Sequence, residues 1–418
     1  MATTQAATPW AVLLCKFADN NDEPFPLIYY RNLFTSAGVG LSNVVDFFRV
    51  YSHGNIDIGG SQIFGWFTLP ETKAEAYAKG RGQIVDDARL AAAANGVDLS
   101  AFWGVLVCTN VPFETFGVQN GRAAVADSLG TAPRILAQEV GHGYGLDHSM
   151  ADGVAAEYQD RWDVMSALNA AWAGNPTFAQ VGPGLNAANM AARGWLDPER
   201  VWVRTGWFDE QVTLRPHHRR DLPGFLVARV GPYYVELRIN EDWDAGIGSP
   251  VVLVHRLDAN RSWLMASASG QRFFPPGAVF ERTDELANGM PKAHAEVVNI
   301  DRASRQATLR LSYQPTIRPL HAFVLPYPVK LGQPTKVVVK ATDGLTSAPV
   351  QGEVRLHSYD VNGQAVDVTP FPTDTPTIVT LRAKRIFDPE TKKWTDFEDP
   401  TGEVTAVGYS DTVLDLGY

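Results

Sequence analysis

The sequence predicts a multidomain α+β protein: a head built on a twisted mixed sheet, a β-rich middle, and a β-sandwich tail. Three observations carry this. Continuous apolar runs alternate with helically spaced segments through the first 200 residues. From Val201 onward short β-rich runs follow one another at strand-like intervals, separated by turn residues. A proline-bearing stretch, Gln314 to Pro328, reads as a linker and is followed by a further set of short β runs. At 418 residues the chain exceeds one typical domain, and the boundaries fall at 1–200, 201–315 and 316–418.

In the head, Trp10 to Phe17 reads as a strand buried on both faces. Ser42 to Tyr51 places Val44, Val45, Phe47, Phe48 and Tyr51 at helical spacing. A polar, glycine-bearing break at Ser52 to Asn55 leads into an alternating stretch that ends in Phe64-Gly-Trp-Phe67. Glu71 to Asn95 is Ala-rich and predicts one long helix stopped by Asn95-Gly96. Phe102 to Cys108 is the next buried strand, and a further helix starts at Pro133 and ends at Gly143 and Gly145. In the middle the strands are VWVRTGW, VTLRP, FLVARV, YYVELRI, VVLVHRL, EVVNID and ATLRLSY; in the tail, KVVVKA, GEVRLHSY, TIVTLRAKRI and EVTAVGY, about one Ig-like sandwich in size.

Composition is that of an ordinary globular protein, 45% hydrophobic and 20% charged. A net charge of -10, with no basic cluster larger than His217 to Arg220, argues against a nucleic-acid surface. That short run reads as a solvated turn. No apolar run reaches the roughly 18 residues of a membrane span. The stretch MATTQAATPW has neither the basic region nor the apolar core of a signal peptide. A cytosolic chain, or a mature form whose signal was removed, fits that start. Cys15 and Cys108 each lie in an apolar run and read as buried free thiols.

The chemistry concentrates in AQEVGHGYGLDHS, Ala137 to Ser149. Side chains four apart share one helix face, so Gln138 and His142 can address one metal ion. Glu139 is offset by one residue and can reach a water on that ion. Gly145 lets the chain leave the helix in a left-handed conformation and turn back, bringing His148 round as a third ligand.

Gln138, Glu139, His142, Gly145 and His148 match the extended zinc signature of the metzincin metallopeptidases, HExxHxxGxxH, at every position but the first. Trp162-Asp163-Val164-Met165-Ser166, with Met165 seventeen residues after His148, resembles that family's methionine turn. The segments VVDFFRVYSHGNIDIGGSQIFGWFTLP, GPGLNAANMAARGWL and YYVELRINEDWDAGIGSPVVLVHRL resemble the immune-inhibitor-A-like and gametolysin-like branch. The resemblance covers roughly residues 10 to 315. It implies a metzincin-like catalytic domain binding Zn2+ through His142, His148 and a weak or substitute ligand at Gln138. Glu139 would be the general base, Met165 the floor beneath the metal, and extended polypeptide the substrate. It also implies secretion, by analogy. The extra tyrosine ligand that the family carries soon after the methionine has no counterpart, since Ser166 and Ala167 follow. An amide oxygen is a poorer zinc ligand than imidazole, so the alternative is a catalytically inactive pseudo-peptidase acting as a binding or structural module.

Other candidates carry weaker expectations. His53 reads as a solvent-exposed turn histidine, with replacement of the missing metal ligand as the lesser alternative, Asp147 as a cap or an orienting partner, and Asp163 as a brace of the methionine turn. Glu236 and Arg238 alternate on a strand and are expected to face solvent or pair across the sheet, with His255 making a cross-strand contact. Phe64, Trp66 and Phe67 suit either a substrate edge or core packing.

Overall fold

The computed structural model describes residues 6–284, 291–315, 318–344 and 346–417. Residues 316–317, where the sequence places the start of its third part, lie outside them. The chain divides into two compact units, Met1–Arg282 with Ala293–Tyr313, and Thr283–Lys292 with Gln314–Tyr418. The first mixes helices with a larger number of strands, and the described elements of the second are strands, consistent with the expected α+β class and β-rich, multidomain character.

The head sheet has five strands in the order Gln62–Thr68, Trp10–Lys16, Gly104–Thr109, Ala123–Ala126 and Phe116–Gly117. The first four run parallel and the last is antiparallel at the edge. The apolar runs are continuous because both faces are covered. Trp10, Val12, Leu14, Leu106 and Cys108 join a core under the helices on one face, including Val44–Tyr51 and Pro133–Gly143. Ala11, Leu13, Cys15, Val105 and Val107 face the helix Gln83–Ala94 on the other. Cys15 and Cys108 are buried free thiols.

The expected single helix over Glu71 to Asn95 is two, Lys73–Lys79 and Gln83–Ala94. The Ala-rich pattern hides the break at Gly80, whose φ of 92° is a conformation glycine alone adopts freely. The first of the two opens on a capping box formed by Thr72 and Glu75.

The middle strands build a six-stranded sheet in the order Val201–Val203, Val227–Val230, Tyr233–Arg238, Val251–Asp258, Arg261–Leu264 and Met150–Ala151. Its edge strand, Met150–Ala151, comes from the head, immediately after His148. Residues 1–200 and the strands of the middle therefore belong to one unit, in which, among the described residues, Met150–Ala151 alone of the first 200 joins the six-stranded sheet. One face of that sheet shares a core with Phe208–Leu214, Pro291–Asp301 and Gln306–Pro315 through Val212, Ala228, Val254, Val297 and Leu309.

The second unit holds a three-stranded sheet (Leu320–Leu325, Thr335–Asp343, Thr377–Val379) and a four-stranded one (Ala365–Pro372, Glu353–Tyr359, Thr401–Thr405, Thr412–Val413). Val337 and Val339 from one meet Val354, Leu356 and Val404 from the other in a common core. Among the described residues no helix is long and apolar enough to cross a membrane.

Candidate functional site

The site helix, Pro133–Gly143, starts with proline at its first turn, where the missing N–H costs nothing. Leu136, Ala137 and Val140 pack against the head sheet. Arg134, Gln138 and His142 follow one another at intervals of four and share the face that lines a cleft of about 920 Å³, as does Glu139. Glu139 is only 5% exposed. The edge strand passes so close that a Cβ on Gly117 would run into the Glu139 carbonyl.

The helix ends in a Schellman turn. The Leu146 N–H donates to the Gly141 carbonyl (3.1 Å) and the Gly145 N–H to that of His142 (2.8 Å), with Gly145 at φ 82°. This closure sets the chemistry of the first histidine. It brings the Leu146 carbonyl 2.8 Å from His142 Nδ1, which must donate to it, so Nε2 keeps its lone pair toward the cleft. Burial lowers the His142 pKa, keeping the ring neutral. Gly145→Ala is therefore expected to destabilise the fold by about 1–3 kcal/mol, the cost of forcing a side chain into this conformation. Its Cβ would also meet the Arg193 guanidinium at 2.6 Å. Urea denaturation checks this; an unchanged midpoint would refute the role given to the turn.

His148 follows, its ring centroid 4.8 Å from that of His142. Its Nδ1 donates to Glu157 Oε2 at 2.7 Å, and its Nε2 accepts from the Tyr158 hydroxyl at 2.9 Å. Glu157 is held in turn by Arg261 at 2.8 Å. Tyr158 sits at φ 64°, a strained conformation for an aromatic residue and one that clusters at functional sites. Beneath the helix lies Met165, fully buried, its sulfur positioned 3.2 Å from where a Cβ on Gly141 would stand. Asp163 braces this turn as expected: it accepts from the N–H groups of Met165 (2.7 Å) and Asn186 (2.8 Å). Asp147 receives the His148 N–H and the Arg261 guanidinium.

Between these groups, Gln138 Nε2 donates to Glu139 Oε1 at 3.3 Å, while Gln138 Oε1 is buried with no hydrogen-bond partner. Glu139 Oε2 lies 4.0 Å from His142 Nε2. Burial pushes the Glu139 carboxyl up to about 7, partly offset by the Gly117 N–H, Arg81 and the Gln138 amide. Two imidazole nitrogens, a phenol oxygen and an orphaned amide oxygen on one cleft form a donor set that suits a borderline divalent cation such as zinc. It is a weaker set than three imidazoles.

The structure thus brings Gln138, Glu139, His142, His148, Gly145 and Met165 together. Sequence reasoning missed Glu157 and Tyr158. It sought the tyrosine after Met165, whereas Tyr158 approaches from the other side of that turn. His53, expected in solvent, is buried, its Nε2 3.1 Å from the His217 carbonyl and its Nδ1 accepting the Asp197 N–H. It is no replacement ligand. The His217–Arg220 run is not simply a solvated turn, because His217 and the His218 side chain are buried. Phe67 is core, Phe64 packs on Phe102 and Trp66 on Tyr30.

Glu236, Arg238 and His255 are wholly buried and carry an ion network, contrary to the solvent-facing expectation for the first two. Among the described residues, the His/Glu/Asp group whose ligand atoms all lie within 4.8 Å of one another is not Glu139, His142 and His148 but His218, Glu241 and Asp242. There the Glu241 oxygens already accept from Arg219 and Arg305, each at 2.8 Å, so it reads as an ion-pair cluster.

No family profile matches the chain, and no curated protein does. Two solved structures of wild-type OgpA from Akkermansia muciniphila are similar at 10% and 12% identity, each match covering 91% of this chain and 97% of that one. The TM-score is 0.29 in both cases, too low to bear on fold or chemistry.

Proposed function

We propose that this chain is a metal-dependent hydrolase of extended polypeptide, metzincin-like in its head and Ig-like in its tail, with an atypical QExxHxxGxxH centre. The observation that carries the reading is the convergence of Glu139, His142, His148 and the partnerless Oε1 of Gln138 on one cleft. His142, His148 and Gln138 would hold Zn2+, with the Tyr158 hydroxyl beside His148 as a further oxygen donor. A bound zinc supplies Lewis acidity, lowering the pKa of a water and polarising a carbonyl. Glu139 takes the proton of the attacking water on its carboxylate and passes it to the leaving amine. Leu146 and Glu157 hold each imidazole in the tautomer with an unprotonated Nε2; that of His148 accepts from the Tyr158 hydroxyl, which would have to turn aside for Nε2 to coordinate. The edge strand Phe116–Gly117, which borders the cleft, suits pairing with an extended substrate. Secretion fits the same resemblance.

The full-length protein, incubated with micromolar Zn2+, is expected to retain the metal and to cleave casein. A protein that takes up no zinc under these conditions overturns the hydrolase reading and leaves the non-catalytic binding module. Gln138→His supplies the second test. Exchanging the orphaned amide oxygen for an imidazole nitrogen is expected to tighten zinc binding by about 10–100-fold or more, at least the effect of a lost hydrogen-bond partner to a ligand. Competition against a chelator reads it. An affinity that does not change would show that position 138 does not address the metal.

A further inference from the structure

We propose that Arg134 forms a carboxylate-binding subsite in the cleft, selecting peptides that carry an acidic group near the bond to be cleaved. The inference rests on reading the cleft as a peptide site.

It comes from accounting for every charge that lines the cavity. Arg81 pairs with Glu114 at 3.4 Å, and Asp147 with Arg261 at 3.0 Å. The Asp127 carboxylate accepts the N–H groups of Phe113, Leu129 and Gly130. Glu139 lies beside His142. Among the described residues, Arg134 is the lining cation with no carboxylate beside it. Its Nε donates to Gln180 Oε1 at 2.7 Å and its Nη1 to the Ala167 carbonyl at 3.0 Å, both neutral acceptors. It is only 7% exposed, and burial with no compensating carboxylate lowers its pKa. The Trp172 ring, 6.0 Å away, is at the outer limit of cation–π attraction.

Burying a cation without a partner is costly. A guanidinium has five N–H donors in a planar fork, and the two bonds above leave three. A carboxylate takes two in a bidentate pair. The placement suits a substrate. Arg134 lies one turn before Gln138 and two before His142 on the same face, so its Cα is about 6 and 12 Å from theirs at 1.5 Å per residue. An extended chain advances about 3.3 Å per residue, which puts the acidic group within about three residues of the reacting carbonyl.

The test measures binding without catalysis. Full-length protein carrying Glu139→Gln, with no metal added, is titrated by fluorescence anisotropy with labelled decapeptides. One set is amidated and carries a single Glu or Gln moved along the sequence. The other has no acidic side chain and ends in a free carboxylate or an amide. At one Glu position, or at the free terminus, the carboxylate peptide is expected to bind about 10-fold or more tighter than its neutral twin, the size of a charged hydrogen-bonded pair. The first result assigns an internal acidic residue and the second a chain end. Arg134→Gln is expected to abolish that preference while leaving the neutral peptide's Kd unchanged. Should Arg134→Gln not fold, Gln180→Glu places a carboxylate against the guanidinium and is expected to abolish the preference too. Carboxylate peptides that bind no better than neutral ones, a preference that survives both variants, or no peptide binding at all overturns the proposal. Failure to bind zinc or cleave casein would instead count against the hydrolase reading and leaves this measurement intact.

Discussion

Glu139→Gln is expected to lower casein hydrolysis by about 100- to 10,000-fold, the contribution of a positioned proton-transfer group. Zinc affinity is expected to stay near that of the parent. The two effects separate because of where Glu139 stands. Its carboxylate reaches the cleft between Gln138 and His142 but is offset by one residue from the face on which those two line up. The substitution keeps shape and removes basicity. Gln138 Nε2 retains an oxygen to donate to, and the isosteric amide asks no extra space of the closely packed Gly117 strand. An amide, however, cannot accept a proton from water and release it to an amine. If the variant cleaves casein as fast as the parent, Glu139 is not the base. If it loses zinc as well, Glu139 is a ligand, and the assignment of roles along the helix is wrong.

That helix was legible because its chemistry is local. The interval from Gln138 to His142, the φ 82° demanded at Gly145 and the return to His148 are properties of one short stretch. The head strands were legible for a related reason: a strand covered on both faces has no polar alternation, as in Trp10 to Phe17. What local pattern does not carry is what another segment lays against a surface. Glu236 and Arg238 occupy alternating positions on Tyr233–Arg238, which reads as one polar, solvated face. In the structure the Ala187 N–H and Asp244 are folded against that face, and the carboxylate and guanidinium are sealed. Tyr158 was missed in the same way, since the contact with His148 depends on a loop closing between residues ten apart. Gly80 was missed because alanines on either side outweigh one glycine in a periodicity count.

The sealed face yields a second large effect. Arg238→Met is expected to destabilise the first unit by about 3–5 kcal/mol, the range for breaking a buried ion pair from one side. Arg238 Nε lies 2.7 Å from Asp244 Oδ2 and its Nη1 3.4 Å from Glu236 Oε1. Glu236 is linked on to His255 at 3.4 Å, and His255 to Asp160 at 2.9 Å. Asp160 stands two residues from Tyr158, so the network also braces the segment that holds His148. Methionine fills much of the volume but leaves two carboxylates buried without their cation. Acid dependence separates this cause from lost packing. Burial disfavours the Asp244 carboxylate, yet the Arg238 guanidinium outweighs it and holds its pKa below the ordinary carboxylate value. In the parent, that stabilisation is present above the unfolded pKa, about 4, and is lost as pH falls through the folded one. Without Arg238 the sign reverses. Burial alone then raises the folded pKa, so the carboxyl takes up a proton on folding and the variant gains relative stability as pH falls. The gap between parent and variant is therefore widest near neutral pH and narrows toward pH of about 4, where the unpaired carboxyls become neutral. Urea denaturation at both ends of that range reads it; a gap that is constant with pH would place the loss in packing and not in the unpaired charge.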